Sequence, residues 1–154
     1  MSDEIQQPGI LEATGLSIGV VRSRFNDRVT SGLASGAVEY LESVGADYRV
    51  YDAPGAFELP LVAQQILAAG CDAVVALGAV IEGDTDHYDH VAHRASEGLM
   101  RVMLDTGKPV AFGILTVREE EQAVLRSKPG PGNKGAEAAA AAVETAIVLR
   151  NTRG

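Results

Sequence analysis

Apolar and polar positions follow two periods along this chain, and each change of period marks an element. The run Leu16-Ser17-Ile18-Gly19-Val20-Val21 is β-rich and alternates in part, which predicts a first strand. Residues 22–27 form a polar loop with one aromatic, Phe25, and Asn26 or Asp27 is placed to cap a helix. Val29, Leu33, Ala37, Tyr40, Leu41 and Val44 then have helical spacing, with Gly45 as the stop. Tyr48-Arg49-Val50-Tyr51 predicts a short strand, and Ala53-Pro54-Gly55 turns the chain. Pro60 suits the first turn of a helix reaching about Ala69, which Gly70 ends. Ala73-Val74-Val75-Ala76-Leu77 is apolar at every position, as in a strand buried on both faces. After the loop 82–86, a helix carries Tyr88, Val91, Ala95, Leu99, Val102 and Met103. Val110-Ala111-Phe112-Gly113-Ile114-Leu115 is the fourth strand, and residues 119–126 suit a short helix. A linker of Gly and Pro, 127–132, leads to an Ala-rich helix from Asn133 to about Arg150.

Strict alternation of strands and helices predicts an α/β fold with a parallel sheet and right-handed crossovers. The expected architecture is a three-layer sandwich around a flavodoxin-like four-stranded parallel sheet of order 2-1-3-4. It fills one domain over residues 1–154, with residues 1–14 as an extended N-terminal segment. The chain shows no internal repeat. A sheet this small leaves edges to protect, and the last helix offers mainly alanine for packing. The domain is therefore expected to need neighbours.

With 154 residues, 46% of them apolar, the chain can bury a core and is not of disordered composition. No apolar run is long enough to span a bilayer. The N-terminal stretch is polar and acidic and lacks a basic region followed by an apolar one, so no secretory signal is expected. Cys71 is the only cysteine, which rules out an intrachain disulfide and suits packing as a small apolar residue. Together these point to the cytoplasm. The net charge of −8 disfavours nucleic acid and anionic membranes as partners. An anionic substrate would need a local positive site that overrides this field.

In doubly wound sheets, ligands bind beyond the carboxyl ends of the strands where strand order reverses. Here that point lies between strands 1 and 3, so the loops 22–27 and 82–86 face it, and they hold the least ordinary residues of the chain. Gly83 permits an unusual backbone angle, and Asp84, Thr85 and Asp86 can each cap the following helix. Such a loop presents N–H groups to an anion, or is simply a well-capped helix start. His87 suits a general acid or base, or a surface position at that start. His90 and His93 follow at steps of three, which drift around a helix axis and converge poorly on a metal. No metal is expected. Phe25 can stack on a flat ring or plug the core. Glu58, after strand 2, can bind hydroxyls or an amine, or favour a helix start. Arg126 and Lys134 flank the linker as local positive charge or as solvated surface.

Four segments, in order and at compatible spacing, resemble the lumazine synthase family over about residues 15–148. They are Arg24-Phe25-Asn26, Pro54-Gly55-Ala56-Phe57-Glu58-Leu59-Pro60, Gly78-Ala79-Val80-Ile81 continuing to Gly83-Asp84-Thr85 with His87-Tyr88-Asp89, and Gln122-Ala123 to Arg126 with Gly132-Asn133-Lys134-Gly135. The resemblance implies condensation of 5-amino-6-(D-ribitylamino)uracil with 3,4-dihydroxy-2-butanone 4-phosphate, the penultimate step of riboflavin biosynthesis. The amine attacks the ketone, water leaves to give an imine, phosphate is eliminated and the ring closes. It implies no cofactor and no covalent nucleophile. Phe25 matches the residue that stacks on the pyrimidine. Ala56, Phe57 and Glu58 match the stretch that holds the ribityl chain and ring, and Ala79, Val80 and Ile81 the strand end that reads the pyrimidine. Gly83, Asp84 and Thr85 match the phosphate loop, and His87 the proposed proton donor. Phe112 and Arg126 match residues reached from the neighbouring subunit, with Arg126 on the phosphate and Lys134 as an auxiliary contact.

The resemblance also implies a homo-oligomer. A pentamer is the family's unit, some members close pentamers into an icosahedral shell of sixty subunits, and riboflavin synthase is a candidate associated protein. Three stretches depart from the family's usual pattern. Glu82 stands where a basic residue is usual, Val117-Arg118-Glu119 replaces a Thr-rich stretch, and Ser127-Lys128-Pro129-Gly130-Pro131 alters the linker. Two alternatives share the scaffold. One is an archaeal-type riboflavin synthase, which uses the lumazine as substrate. The other is a non-catalytic flavin, pterin or lumazine binder, or a shell protein.

Overall fold

The computed structural model describes residues 13–83 and 86–153. Among the described residues, four strands alternate with five full α-helices: β1 (Ser17–Ser23), α1 (Asp27–Ser43), β2 (Asp47–Ala53), α2 (Leu59–Ala68), β3 (Ala73–Ile81), α3 (His87–Thr106), β4 (Val110–Val117), α4 (Glu120–Arg126) and α5 (Lys134–Thr152). A short 3-10 turn, Ala56–Glu58, joins β2 to α2. The sheet order is β2-β1-β3-β4 and all three pairings are parallel, as the alternation of elements predicts. The first twelve residues lie outside the described residues, and with them most of the expected N-terminal segment.

The strands run further than the apolar runs suggest. β1 reaches Ser23 because Arg22 and Ser23 pair with Asp52 and Ala53, so part of the expected polar loop is strand. β3 reaches Ile81 because its end pairs with β4 as far as Val117. Both extensions carry side chains toward the carboxyl edge of the sheet.

Period-2 alternation in β3 sorts its side chains into two cores. Ala73, Val75, Leu77 and Ala79 pack with Val29, Leu33, Ala37 and Leu41 of α1 and with Ala139, Val143 and Ile147 of α5. Val74, Ala76 and Val80 pack on the other face with Leu59, Ala63 and Ile66 of α2 and Ala95 and Leu99 of α3. These two cores make the layers of the sandwich. The α1 residues recur at steps of four, which places one stripe of that helix against the sheet.

α1 ends where the sequence predicts. Gly45 has φ +76°, its N–H bonds the Glu42 carbonyl at 3.2 Å, and the Ala46 N–H bonds the Leu41 carbonyl at 3.1 Å. This pair of bonds satisfies carbonyls that the helix end would leave unpaired. α5 approaches α1 closely through its small residues. A Cβ at Gly135 would collide with the Leu33 carbonyl, and Ala138, Ala139 and Ala142 are buried. The edge strand β2 is exposed along most of its length, whereas every β3 residue before Ile81 is buried. No described helix is long and apolar enough to cross a membrane.

Candidate functional site

At the carboxyl edge, the loop after β1 is laced to the loop after β2. The Arg24 N–H donates to the Ala53 carbonyl at 2.7 Å and the Phe25 N–H to the Pro54 carbonyl at 3.1 Å. Beneath them, the buried Thr30 hydroxyl donates to the Ser23 carbonyl at 2.6 Å. Asn26 takes the left-handed conformation, with φ +64°. The sequence makes Asn26 a helix cap, and it does hold that position, but its side chain makes no capping bond. Its Nδ2 instead donates to the Ala79 carbonyl at 2.9 Å, tying the first loop to the end of β3.

Arg22 stabilises the same corner. Its guanidinium donates to Asp52 at 3.1 Å and to the Ser31 hydroxyl at 2.9 Å, and it pairs with Asp27. The Arg22 hydrogen bond holds the Asp27 carboxyl below its ordinary range, and the same bond is the chief reason that Arg22 is held above its own.

These ties leave Phe25 71% exposed on a backbone pinned at both sides. Its ring borders a cleft of about 490 Å³. Ala56, Phe57 and Glu58 line the cleft from the 3-10 turn, Ala79, Val80 and Ile81 from the end of β3, and His87 from the first turn of α3. Tyr88, His90 and Val91 complete the wall on the α3 side. The predicted aromatic, strand-end, carboxylate and histidine positions are thus brought together. Apolar walls with two exposed rings and a few polar groups suit a flat heterocycle with a polar substituent. His90 Nε2 lies 3.2 Å from an Asp86 carboxylate oxygen, within one turn of the helix start.

Gly83 is exposed between β3 and α3, while Asp84 and Thr85 lie outside the described residues. No group of His, Cys, Asp and Glu suited to a metal occurs among the described residues. Cys71 is half-buried, with its sulfur 3.8 Å from the Ser17 hydroxyl, at the opposite edge of the sheet.

The remaining predicted residues do not enter this cleft. Phe112, Arg126 and Lys134 line a second hollow of about 400 Å³ beside the edge strand β4, together with Thr116. Phe112 is 41% exposed there and belongs to neither core. Lys134 lies 3.9 Å from Glu137, and Arg126, in the last turn of α4, has no ion-pair partner among the described residues. Arg126 and Lys134, set against the single carboxylate of Glu137 that also lines the hollow, leave a net positive site beside an exposed ring in an acidic chain. Sequence reasoning missed Asn26 as a tie between loops, because a cap and a long-range tie use the same residue type. It also missed Asn133, whose buried amide holds the linker. Tyr88 and Val91 were visible as apolar helix positions, but not as cleft wall.

A family model described as 6,7-dimethyl-8-ribityllumazine synthase matches residues 15–150. The chain is 46% identical to the protein of that name from Clavibacter sepedonicus over 149 residues, covering 96% of this chain and 93% of the relative. It is 48% identical to the one from Desulfovibrio desulfuricans, covering 92% and 93%, and 50% identical to the one from Bdellovibrio bacteriovorus, covering 84% and 73%.

Proposed function

The chain belongs to the 6,7-dimethyl-8-ribityllumazine synthase family, and from that premise we propose how its two hollows divide the work. The enzyme is a transferase of riboflavin biosynthesis. It condenses 5-amino-6-(D-ribitylamino)uracil with 3,4-dihydroxy-2-butanone 4-phosphate to give 6,7-dimethyl-8-ribityllumazine, phosphate and water. Its family implies two small-molecule substrates and an oligomer. No observation favours the riboflavin synthase or the non-catalytic alternative.

In the proposed division, the cleft takes the ribitylaminouracil. Phe25 stacks on the pyrimidine, the end of β3 meets its polar edge through backbone groups, and Ala56, Phe57 and Glu58 receive the ribityl chain. The hollow beside β4 belongs to the neighbouring subunit's site. It brings Phe112 against the ring and Arg126, assisted by Lys134, against the phosphate. Gly83, Asp84 and Thr85, which match the family's phosphate loop, are assigned to the phosphate. Because Glu82 and Asp84 are acidic, backbone N–H groups make most of the loop's contacts.

The amine nitrogen attacks the ketone carbon, and His87 supplies the proton that lets the carbinolamine oxygen leave as water. Arg126 stabilises the charge that develops as the C–O bond to phosphate breaks. Loss of the C3 proton as phosphate departs leaves an enol, which tautomerises to a new ketone at C3; attack of the ribitylamino nitrogen on that ketone closes the ring and expels a further water. Holding both substrates in one site supplies much of the acceleration. The assembly is a cytoplasmic pentamer or a shell of pentamers, with riboflavin synthase as its associated enzyme.

The observation that carries this reading is the separation of the matching residues into two hollows of one chain, an aromatic one and a cationic one. The test mixes two impaired variants, Phe25→Ala/His87→Ala and Arg126→Ala, and lets them reassemble. In a symmetric ring with random equal mixing, about one interface in four pairs two intact halves. Lumazine formation should rise above that of either variant alone toward that fraction. If native mass spectrometry shows mixed rings and no activity returns, Arg126 serves its own subunit's cleft and the shared site is wrong.

A further inference from the structure

Few polar residues are buried among the described ones, and Asn133 is one of them, 2% exposed. Its side chain bonds to three separate segments. The Oδ1 atom accepts from the Ala136 N–H at 3.0 Å and so caps α5. The Nδ2 atom donates to the Lys128 carbonyl at 2.9 Å, within the linker, and to the Gly32 carbonyl at 3.2 Å, on α1. A cap needs only the acceptor. Both remaining donor hydrogens are committed outside the helix that Asn133 begins.

α1 is shaped to receive this amide. A Cβ at Gly36 would collide with the Asn133 carboxamide, and one at Gly32 with the Ser127 carbonyl. Two glycines one turn apart thus open a slot on α1, and the linker and the amide sit in it. Glycine in mid-helix is disfavoured relative to alanine, so the slot is a cost that the helix carries for this contact.

What the slot holds is the frame of the cationic hollow. Arg126 stands two residues before the Lys128 carbonyl, and Lys134 directly follows Asn133. The linker between them alternates proline and glycine; Pro129 and Pro131 fix their own φ, but Gly130 and Gly132, both at positive φ, leave the bends between them to be set by outside contacts. We infer that Asn133, seated between Gly32 and Gly36, is a positioning residue that holds Arg126 and Lys134 at a fixed spacing as one phosphate-binding pair. The inference rests on the proposed role of Arg126 toward the phosphate. Charge-assisted bonds to a phosphoryl group depend on geometry, and a cation on a loose linker loses orientation before it loses charge.

The test compares Asn133→Ser, Gly36→Ala and Arg126→Ala. Serine retains a capping acceptor for α5 but removes both outward donors. Alanine at position 36 displaces the amide from the opposite helix, at a site where alanine itself favours the helix. If one variant fails to fold, the other still tests the same contact. Each is assayed for kcat, for the KM of both substrates, for competitive inhibition by inorganic phosphate, and for melting temperature. Asn133→Ser and Gly36→Ala should each raise the KM for the butanone phosphate roughly tenfold, the scale of one charge-assisted hydrogen bond. They should weaken phosphate inhibition in parallel and leave the KM for the pyrimidine unchanged. Combined with Arg126→Ala, Asn133→Ser should add little, since it acts through that residue.

If Arg126→Ala raises the phosphate-substrate KM while both other variants leave it unchanged, the inference is overturned and the role of Arg126 stands. If Arg126→Ala itself leaves that KM unchanged, the role of Arg126 falls, and the inference with it. A rise of both KM values together with a lower melting temperature assigns Asn133 to general stability and also overturns it.

Discussion

The cleft at the ends of β1 and β3 and the hollow beside β4 are built in opposite ways. The cleft is held mainly by backbone bonds, with side-chain ties from Asn26 and Arg22 beside them. Its loops bond to one another through Arg24, Phe25 and the Asn26 tie to Ala79, and its walls are the ends of buried strands. The hollow is framed by a side chain, the Asn133 amide, across a linker whose glycines leave bends between its two prolines. The difference fits what each is proposed to recognise. A flat ring needs a dry wall at a set separation, which strand ends supply. A phosphate needs cations, and lysine and arginine stems are long and mobile, so their bases must be fixed by a separate device.

His87→Ala should give the largest change and sharpens the contrast between proton transfer and anion binding. The expected effect is a fall in kcat of about 10²–10⁴-fold, the usual range for a proton-transfer group, with residual turnover from positioning alone. Loss of substrate affinity with kcat unchanged would place His87 among the binding residues and erase the division of labour between the hollows.

Much of this arrangement is legible in the chain itself. The strand order followed from alternation, and the cleft followed from strand order, because a reversal between strands 1 and 3 must gather the loops after them. Residues of the first three family segments line that cleft, whereas Arg126 and Lys134 of the fourth lie at the hollow beside β4. What stayed hidden has a common cause. Asn26 and Asn133 carry short polar side chains at helix starts, where capping is the ordinary expectation, and one of them makes no capping bond at all. Their long-range partners, Ala79 and Gly32, accept through backbone carbonyls, and a carbonyl carries no residue-type signal. The extensions of β1 and β3 were hidden for the same reason. Pairing with a neighbouring strand, rather than side-chain pattern, decides where a strand stops.

Phe25→Ala should have a smaller effect, confined to the aromatic side. Losing a stacked ring costs about 0.5–1.5 kcal/mol beyond the area lost, so the KM for the ribitylaminouracil should rise roughly tenfold. The KM for the butanone phosphate should not move, and Phe25→Trp should retain most of the affinity. Equal changes in both KM values would mean that the two hollows act as one site rather than as two halves.

The smallest effect is expected at Tyr40, which borders the same groove behind the linker as Gly36 and Asn133 but bonds to neither. Its hydroxyl is buried without a hydrogen-bond partner among the described residues. Burial, with a lesser contribution from Glu144, pushes its pKa up to about 12. Removing an unbonded buried hydroxyl relieves a desolvation penalty, so Tyr40→Phe should melt at or slightly above the parent temperature at neutral pH and turn over normally. The alkaline limb gives the sign. The folded state holds this proton more tightly than the unfolded chain, whose tyrosine titrates near 10. The contribution is therefore intact below pH 10 and is lost between pH 10 and about 12, as the unfolded chain ionises first. Tyr48, raised by its bond to Glu42, adds a loss of the same sign to both proteins. Tyr40→Phe should thus keep more of its stability across that interval, as melting curves at stepped pH would record. A variant that instead loses phosphate-substrate affinity at neutral pH would show that the linker groove as a whole, and not the Asn133 amide within it, sets the geometry of the cationic hollow.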